Sequence, residues 1–262
     1  PRGTLKSTVA SRGVAIFLII NDPNVTILLT SATNDNAEKK LRAIAEVFER
    51  NALFRWLFPE LLPPNFKDDW TNKKILVPRD ATDPELTVEC QSVESELTSR
   101  HYDYIIDDDI VGKENSETAE QILKVKNFYT QSMQLLKKPH GRRLVIGTLW
   151  NFSDLYNDIL ENRYNRYDVL VRSIYKNDKF VRNEDGSFRW EVSDEKESVY
   201  PELVSEQDIE DLKEEVTSDP NQGISTWKAQ YELKIVDEET AVFPQSKSKE
   251  PDSWFEMKAL ED

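Results

Sequence analysis

Four short apolar runs, "VTILLTSA", "LTVEC", "YDYII" and "RRLVIGT", recur along the chain, with helix-forming segments between the first and second and between the third and fourth. That alternation constrains the fold more than any other feature. Strands separated by crossover helices pair in parallel, and the helices then cover both faces of the sheet. Residues 7 to 20 carry apolar groups at helical spacing up to Asn21-Asp22-Pro23, where proline cannot continue a helix. Residues 36–51 place Leu41, Ile44, Ala45 and Phe48 on one face of a second helix. The Pro-rich, aromatic "WLFPELLPPNFKDDW" predicts an irregular stretch, residues 117–136 a further helix, and Ser153 the side-chain cap of another. The fold class expected is therefore α/β, with a mostly parallel sheet flanked by helices.

The pattern changes after about residue 165. "YDVLVRSIYK" and "KFVRNEDGSFRW" read as strands around an Asp-Gly turn, hence antiparallel, followed by polar helices near 205–216 and 224–233. This divides the chain into a core over 1–165, a smaller subdomain over 166–243 and a linker over 244–262. The longest apolar stretch, Val14 to Ile20, is too short to span a bilayer. The lone Cys90 excludes an internal disulfide, and two histidines leave almost nothing for a zinc site. A net charge of −15 argues against a surface coated in basic groups for gripping nucleic acid, and leaves only local Lys/Arg contacts for it.

Three segments carry chemistry. In "PRGTLKST", Lys6 and Ser7 stand where a loop enters a helix. There, backbone N–H groups surround anionic oxygens, a lysine neutralises β/γ-phosphate charge and the next hydroxyl ligates Mg²⁺. The loop has Leu5 where glycine is usual before the lysine, while Gly3 supplies flexibility. By the motif alone, a phosphate loop and an exposed terminal KST are both open. In "YDYIIDDDIV", adjacent aspartates end a buried strand, and crowded like charges call for a cation. One such carboxylate holds Mg²⁺ and its neighbour orients the attacking water in nucleotide hydrolases. The roles fall to Asp108 and Asp109, with Asp107 and Asp108 as the alternative register. In "VIGTLWNFSDLY", Thr148 offers a hydroxyl at a strand tip, either to report a γ-phosphate or simply to satisfy the strand end.

Taken together, "PRGTLKST", "ILLTSATNDNAEKKL", "RHYDYIIDDDIV" and "RLVIGTLWNFSDLY" resemble, in order and spacing, the large terminase subunit of tailed bacteriophages. "YPELVSEQDIEDLKEE" and "WKAQYELKIVDEETAVF" are similar to the segments after that family's ATPase core, so the likeness covers nearly the whole chain. It implies an ASCE, RecA-like P-loop core with a C-terminal lid, binding ATP and Mg²⁺ and driving viral DNA into a procapsid. The family's phosphate loops vary and often carry an early arginine without glycine before the lysine. The loop contacts implied are then Arg2, Gly3, Thr4, Leu5, Lys6, Ser7 and Thr8, with Thr148 beside the γ-phosphate. The resemblance further implies a trans-acting arginine from a neighbouring subunit, for which Arg100 is the candidate and Arg142 and Arg143 the reserves. Double-stranded viral DNA, the portal, the small terminase subunit and a pentameric ring are the implied partners, in the cytoplasm of an infected bacterium and without a membrane. An adenine-contacting segment before the loop and an RNase H-like nuclease domain after the linker complete the family's pattern, so the chain is expected to be a fragment. Two other readings stand beside it. A helicase-type ATPase also carries "SAT", but after its acidic motif, whereas Ser31-Ala32-Thr33 precedes Asp108 here. A nucleotide-binding module with a degenerate site would suit Leu5.

Overall fold

A computed structural model of the chain describes residues 3, 5–66, 70–80, 85–97, 99–150, 153–163, 166–184, 186, 188–219 and 223–234. Arg2, Thr4 and the linker at 244–262 lie outside these residues. The chain divides into two compact units, Pro1–Val169 and Leu170–Asp262.

The first unit is an α/β layer structure. Ser7–Gly13 winds as a π-helix straight into α1, Val14–Asn21. The helix stops where Asp22 turns extended ahead of Pro23, whose ring disfavours helical geometry in the preceding residue. Strands β1 (Ile27–Ser31), β2 (Lys74–Ile75), β3 (Val88–Ser92), β4 (Tyr104–Asp108) and β5 (Arg142–Ile146) form one sheet in the order β2-β3-β1-β4-β5. β1, β3, β4 and β5 run parallel, and only the two-residue β2 is antiparallel, at one edge. The connections leaving β1 and β4 diverge, so a crevice opens between the carboxyl ends of these two neighbours. Open α/β sheets place their ligand sites at such a switch point.

Alternation along the buried strands sets the two faces. Ile27, Leu29, Ile106 and Ile146 pack with Ala15 and Ile19 of α1 and with Leu41, Ile44 and Phe48 of α2, Asn34–Arg50. Each fully buried leucine, isoleucine or phenylalanine among them contributes roughly 1.5–3 kcal/mol relative to exposure. Leu28 and Ile105 point the other way, toward Leu135 and Leu136 beyond α4, Ala119–Ser132. The predicted face of α2 is the observed one, and Thr33 caps that helix by accepting from the Asn36 amide. The irregular stretch contains a helical turn at Pro59–Leu61, just after α3, Ala52–Leu57. The helix following β5 is α5, Leu155–Asp158, capped by Asp154 rather than Ser153: the Asp154 carboxylate accepts from the Asn157 amide at 3.0 Å. Cys90 is buried, and burial above all pushes its thiol up to about 12, so it packs as a core side chain.

In the second unit, β6 (Lys179–Arg182) and β7 (Phe188–Glu191) form the expected antiparallel hairpin, with Gly186 at φ 89° in its turn. "YDVLVRSIYK" is not a strand. Its backbone bonds go to scattered partners, Ile174 N–H to the Tyr231 carbonyl and Lys176 N–H to that of Glu197, leaving one isolated bridge between Tyr175 and Ser198. Helices α6 (Glu206–Ser218) and α7 (Gly223–Trp227) enclose Ile174, Ile209, Val216 and Trp227. Buried Asp178 accepts from Ser173 and the Ser193 amide and pairs with Lys234 at 3.0 Å. No described helix is long and apolar enough to cross a membrane.

Candidate active site

The loop before the first helix folds as its residue types dictate. Gly3 sits at φ 79°, open to glycine at no cost, and Leu5 at φ 57°, where an ordinary L-residue loses about 1 kcal/mol. The position where glycine is usual therefore has the backbone that favours glycine, and leucine adopts it nonetheless. Lys6 returns to helical dihedrals, and Val9 N–H bonds to the Leu5 carbonyl at 3.0 Å to close the first turn. A left-handed residue followed by a helical one leaves successive amides converging on an anion-binding concavity.

That loop meets the carboxyl end of β4. The Lys6 ammonium donates to Asp109 Oδ1 at 2.8 Å, and the Ser7 hydroxyl donates to Asp108 Oδ1 at 2.9 Å. Asp108 is fully buried, and its Oδ2 makes no hydrogen bond; the nearest cation is the Lys40 ammonium of α2, at 3.2 Å. Lys40 also donates to the Asp108 main-chain carbonyl and lies 4.0 Å from Asp109 Oδ2. Asp109 has a left-handed backbone at φ 52°, a conformation Asp tolerates, and its side chain is 38% exposed. Its amide bonds to the Ile146 carbonyl, its carbonyl accepts from Ala32, and Ser31 Oγ donates to the Asp108 carbonyl at 2.9 Å. "SAT" is thus spent on fixing the tip of β4 and capping α2.

Asp107 belongs elsewhere. Alternation turns it to the α4 face, where it accepts from Thr30 Oγ1 and from Arg143 Nε. Arg143 is itself buried, stacks over the Tyr129 ring at 3.8 Å and donates to the Ser132 hydroxyl. Burial works to lower the Arg143 pKa, but the Asp107 charge outweighs it and holds the guanidinium above its ordinary value. Arg143 and Asp107 are a structural pair.

The remaining candidates lie apart from this group. Thr148 is buried past β5, and among the described residues no hydrogen bond or ion pair joins it to Lys6, Ser7, Asp108 or Asp109. Tyr156 is the side chain that reaches that strand tip, donating to the Ile146 carbonyl and accepting from the Val111 amide. Burial, then the nearby Asp109 charge, raises its hydroxyl pKa well above the ordinary range, so it remains a neutral donor. Thr8 is exposed on the helix. Arg100 sits at the opposite, amino end of β4, paired with Glu89. Asp103 is engaged by Thr26 and Lys137. Arg142 is exposed where β5 begins.

The arrangement offers a hydroxyl and a buried carboxylate as hard oxygen donors, with ammonium groups on either side. Ser7 Oγ and the Asp108 carboxylate, whose Oδ2 faces Lys40 without a hydrogen bond, are the oxygen donors that could hold a divalent cation such as Mg²⁺, which takes one or two protein ligands and fills the rest with water and phosphate. Among the described residues no group of three or more His, Cys, Asp or Glu forms a metal cage of its own. Fold and site define an α/β protein with a five-stranded, mostly parallel sheet and a cation–carboxylate cluster at its carboxyl edge. No family model matches the chain, and no curated protein matches it.

Proposed function

We propose that this chain is an ATP-hydrolysing P-loop domain, the motor ATPase of a terminase large subunit that drives phage DNA into a procapsid. The observation that carries the nucleotide reading is the convergence of Lys6 and Ser7, from the loop-to-helix junction, on Asp108 and Asp109 at the adjoining strand tip. The terminase assignment rests on the sequence resemblance; double-stranded DNA, portal and small subunit as partners, a pentameric ring and the host cytoplasm all come with it.

Lys6 leaves Asp109 to neutralise the β/γ-phosphates, a move within reach of its flexible stem. Ser7 and Asp108 would hold Mg²⁺, which when bound would supply positive charge to offset that developing on the phosphoryl oxygens. Freed of Lys6, Asp109 accepts a hydrogen bond from the attacking water and directs its lone pair at the γ-phosphorus. The bond to the β–γ bridging oxygen breaks, and ATP and water become ADP, phosphate and a proton. Thr148 relays the nucleotide state to the segment after it, and Arg100 serves a neighbouring subunit.

Asp109→Asn tests the reading. It should bind nucleotide as the wild type does and hydrolyse about 10²-fold more slowly, because water orientation is lost and binding is not. Undiminished hydrolysis by that variant would remove Asp109 from the mechanism.

A further inference from the structure

We infer that Lys40, on the second helix and not among the candidate site residues read from the sequence, is the positioning residue that holds the acid pair once Lys6 is committed to phosphate; the inference rests on the nucleotide-site reading above. Two adjacent carboxylates repel one another, and here two ammonium groups offset them, Lys6 at 2.8 Å from Asp109 and Lys40 at 3.2 Å from Asp108. A single lysine cannot neutralise phosphate and Asp109 together. When Lys6 turns to the nucleotide, Lys40 is the remaining cation, already 4.0 Å from Asp109 Oδ2.

Lys40 is held from the opposite side of the pair, by a helix that does not belong to the phosphate loop. Its helix is capped by Thr33 and anchored in the core through Leu41 and Ile44. Its ammonium bonds the Asp108 carbonyl, the same oxygen that accepts from Ser31, so it grips main chain as well as side chain. That grip opposes relaxation of the left-handed backbone at Asp109, on which the direction of the water-orienting carboxylate depends. The adjacent Lys39 projects away and pairs with Asp35 on the surface, with side chains 70% and 73% exposed, which makes it a matched control.

Hydrogen exchange at the Asp109 and Ala32 amides, bonded to the Ile146 and Asp109 carbonyls, reads the integrity of the tip without requiring turnover. Lys40→Met should speed exchange at both amides by about 10-fold or more, while Lys6→Ala and Lys39→Met leave them protected. Lys40→Arg should restore protection. Lys40→Gln, a neutral donor, should loosen the tip as Met does, and covers the case in which Met compromises folding. In turnover, Lys40→Met should lower kcat by about 10-fold or more with KM for ATP within about 3-fold of wild type. Unchanged exchange in both neutral variants, or equal loosening in Lys6→Ala, overturns the assignment. If the wild-type protein does not hydrolyse ATP, the nucleotide reading fails, and the exchange pattern still decides which lysine holds the tip.

Discussion

Asp107, Asp108 and Asp109 are consecutive, and each faces a different cation: Arg143, Lys40 and Lys6 in turn. The consequences of substitution should differ accordingly. Asp107→Asn strands a buried guanidinium, and breaking one partner of a buried pair costs about 3–5 kcal/mol. Its loss should appear as a large drop in the denaturation midpoint, whereas Asp109→Asn, on a partly exposed side chain, should unfold near wild type. Equal stability of the two would contradict the separation of roles. Leu5 makes the converse case, a residue at φ 57° with half its surface exposed. Leu5→Gly relieves about 1 kcal/mol of backbone strain while adding unfolded-state freedom, so nucleotide affinity should hold within about 3-fold. A 10-fold loss would mean that the leucine side chain itself contacts the nucleotide.

The elements that carry the site were legible where periodicity had something to report. Four parallel strands and α2 with its buried face follow from apolar runs and helical spacing. The aspartate register was not legible, because Ile105 and Ile106 are both fully buried and a strand covered on two faces shows no polar alternation. Lys40 was hidden for a related reason: beside Lys39 it reads as one more charge on a solvated face, and only the 100° step between neighbours sends it inward. "YDVLVRSIYK" misled because a β-branched pattern signals fit to a sheet, and among the described residues it has no continuous partner strand, only the bridge from Tyr175 to Ser198. At the strand tip, Gly147 allows Tyr156 to reach the Ile146 carbonyl, since a Cβ there would lie 2.0 Å from the tyrosine ring. Gly147→Ala should displace that ring at a cost of about 1–3 kcal/mol and reduce hydrolysis along with stability. A melting temperature and turnover matching wild type would show that the close approach is dispensable.

Across the whole molecule, each unit holds a carboxylate below its ordinary range. Burial acts against Asp103, but bonds from the Thr26 hydroxyl and amide, then Lys137, outweigh it. Asp178 is lowered likewise, burial being overcome by Lys234 and the Ser193 amide. Both pKa values rise toward about 3.9 on unfolding, so the stabilisation is complete above that pH and is lost as pH falls through the lower folded values. Chemical denaturation from pH 6 down to pH 2 should show this decline, and Asp103→Asn and Asp178→Asn should each flatten it; undiminished acid sensitivity in the double variant would place the cause elsewhere. The central claim, a phosphate site built on Lys6, is tested most directly by titrating a fluorescent ATP analogue with Mg²⁺ into wild-type protein and Lys6→Ala. Saturable binding by the wild type, weakened by about 10-fold or more in the folded variant, is the result predicted. Identical binding curves for the two proteins, or no saturable binding by either, would contradict it.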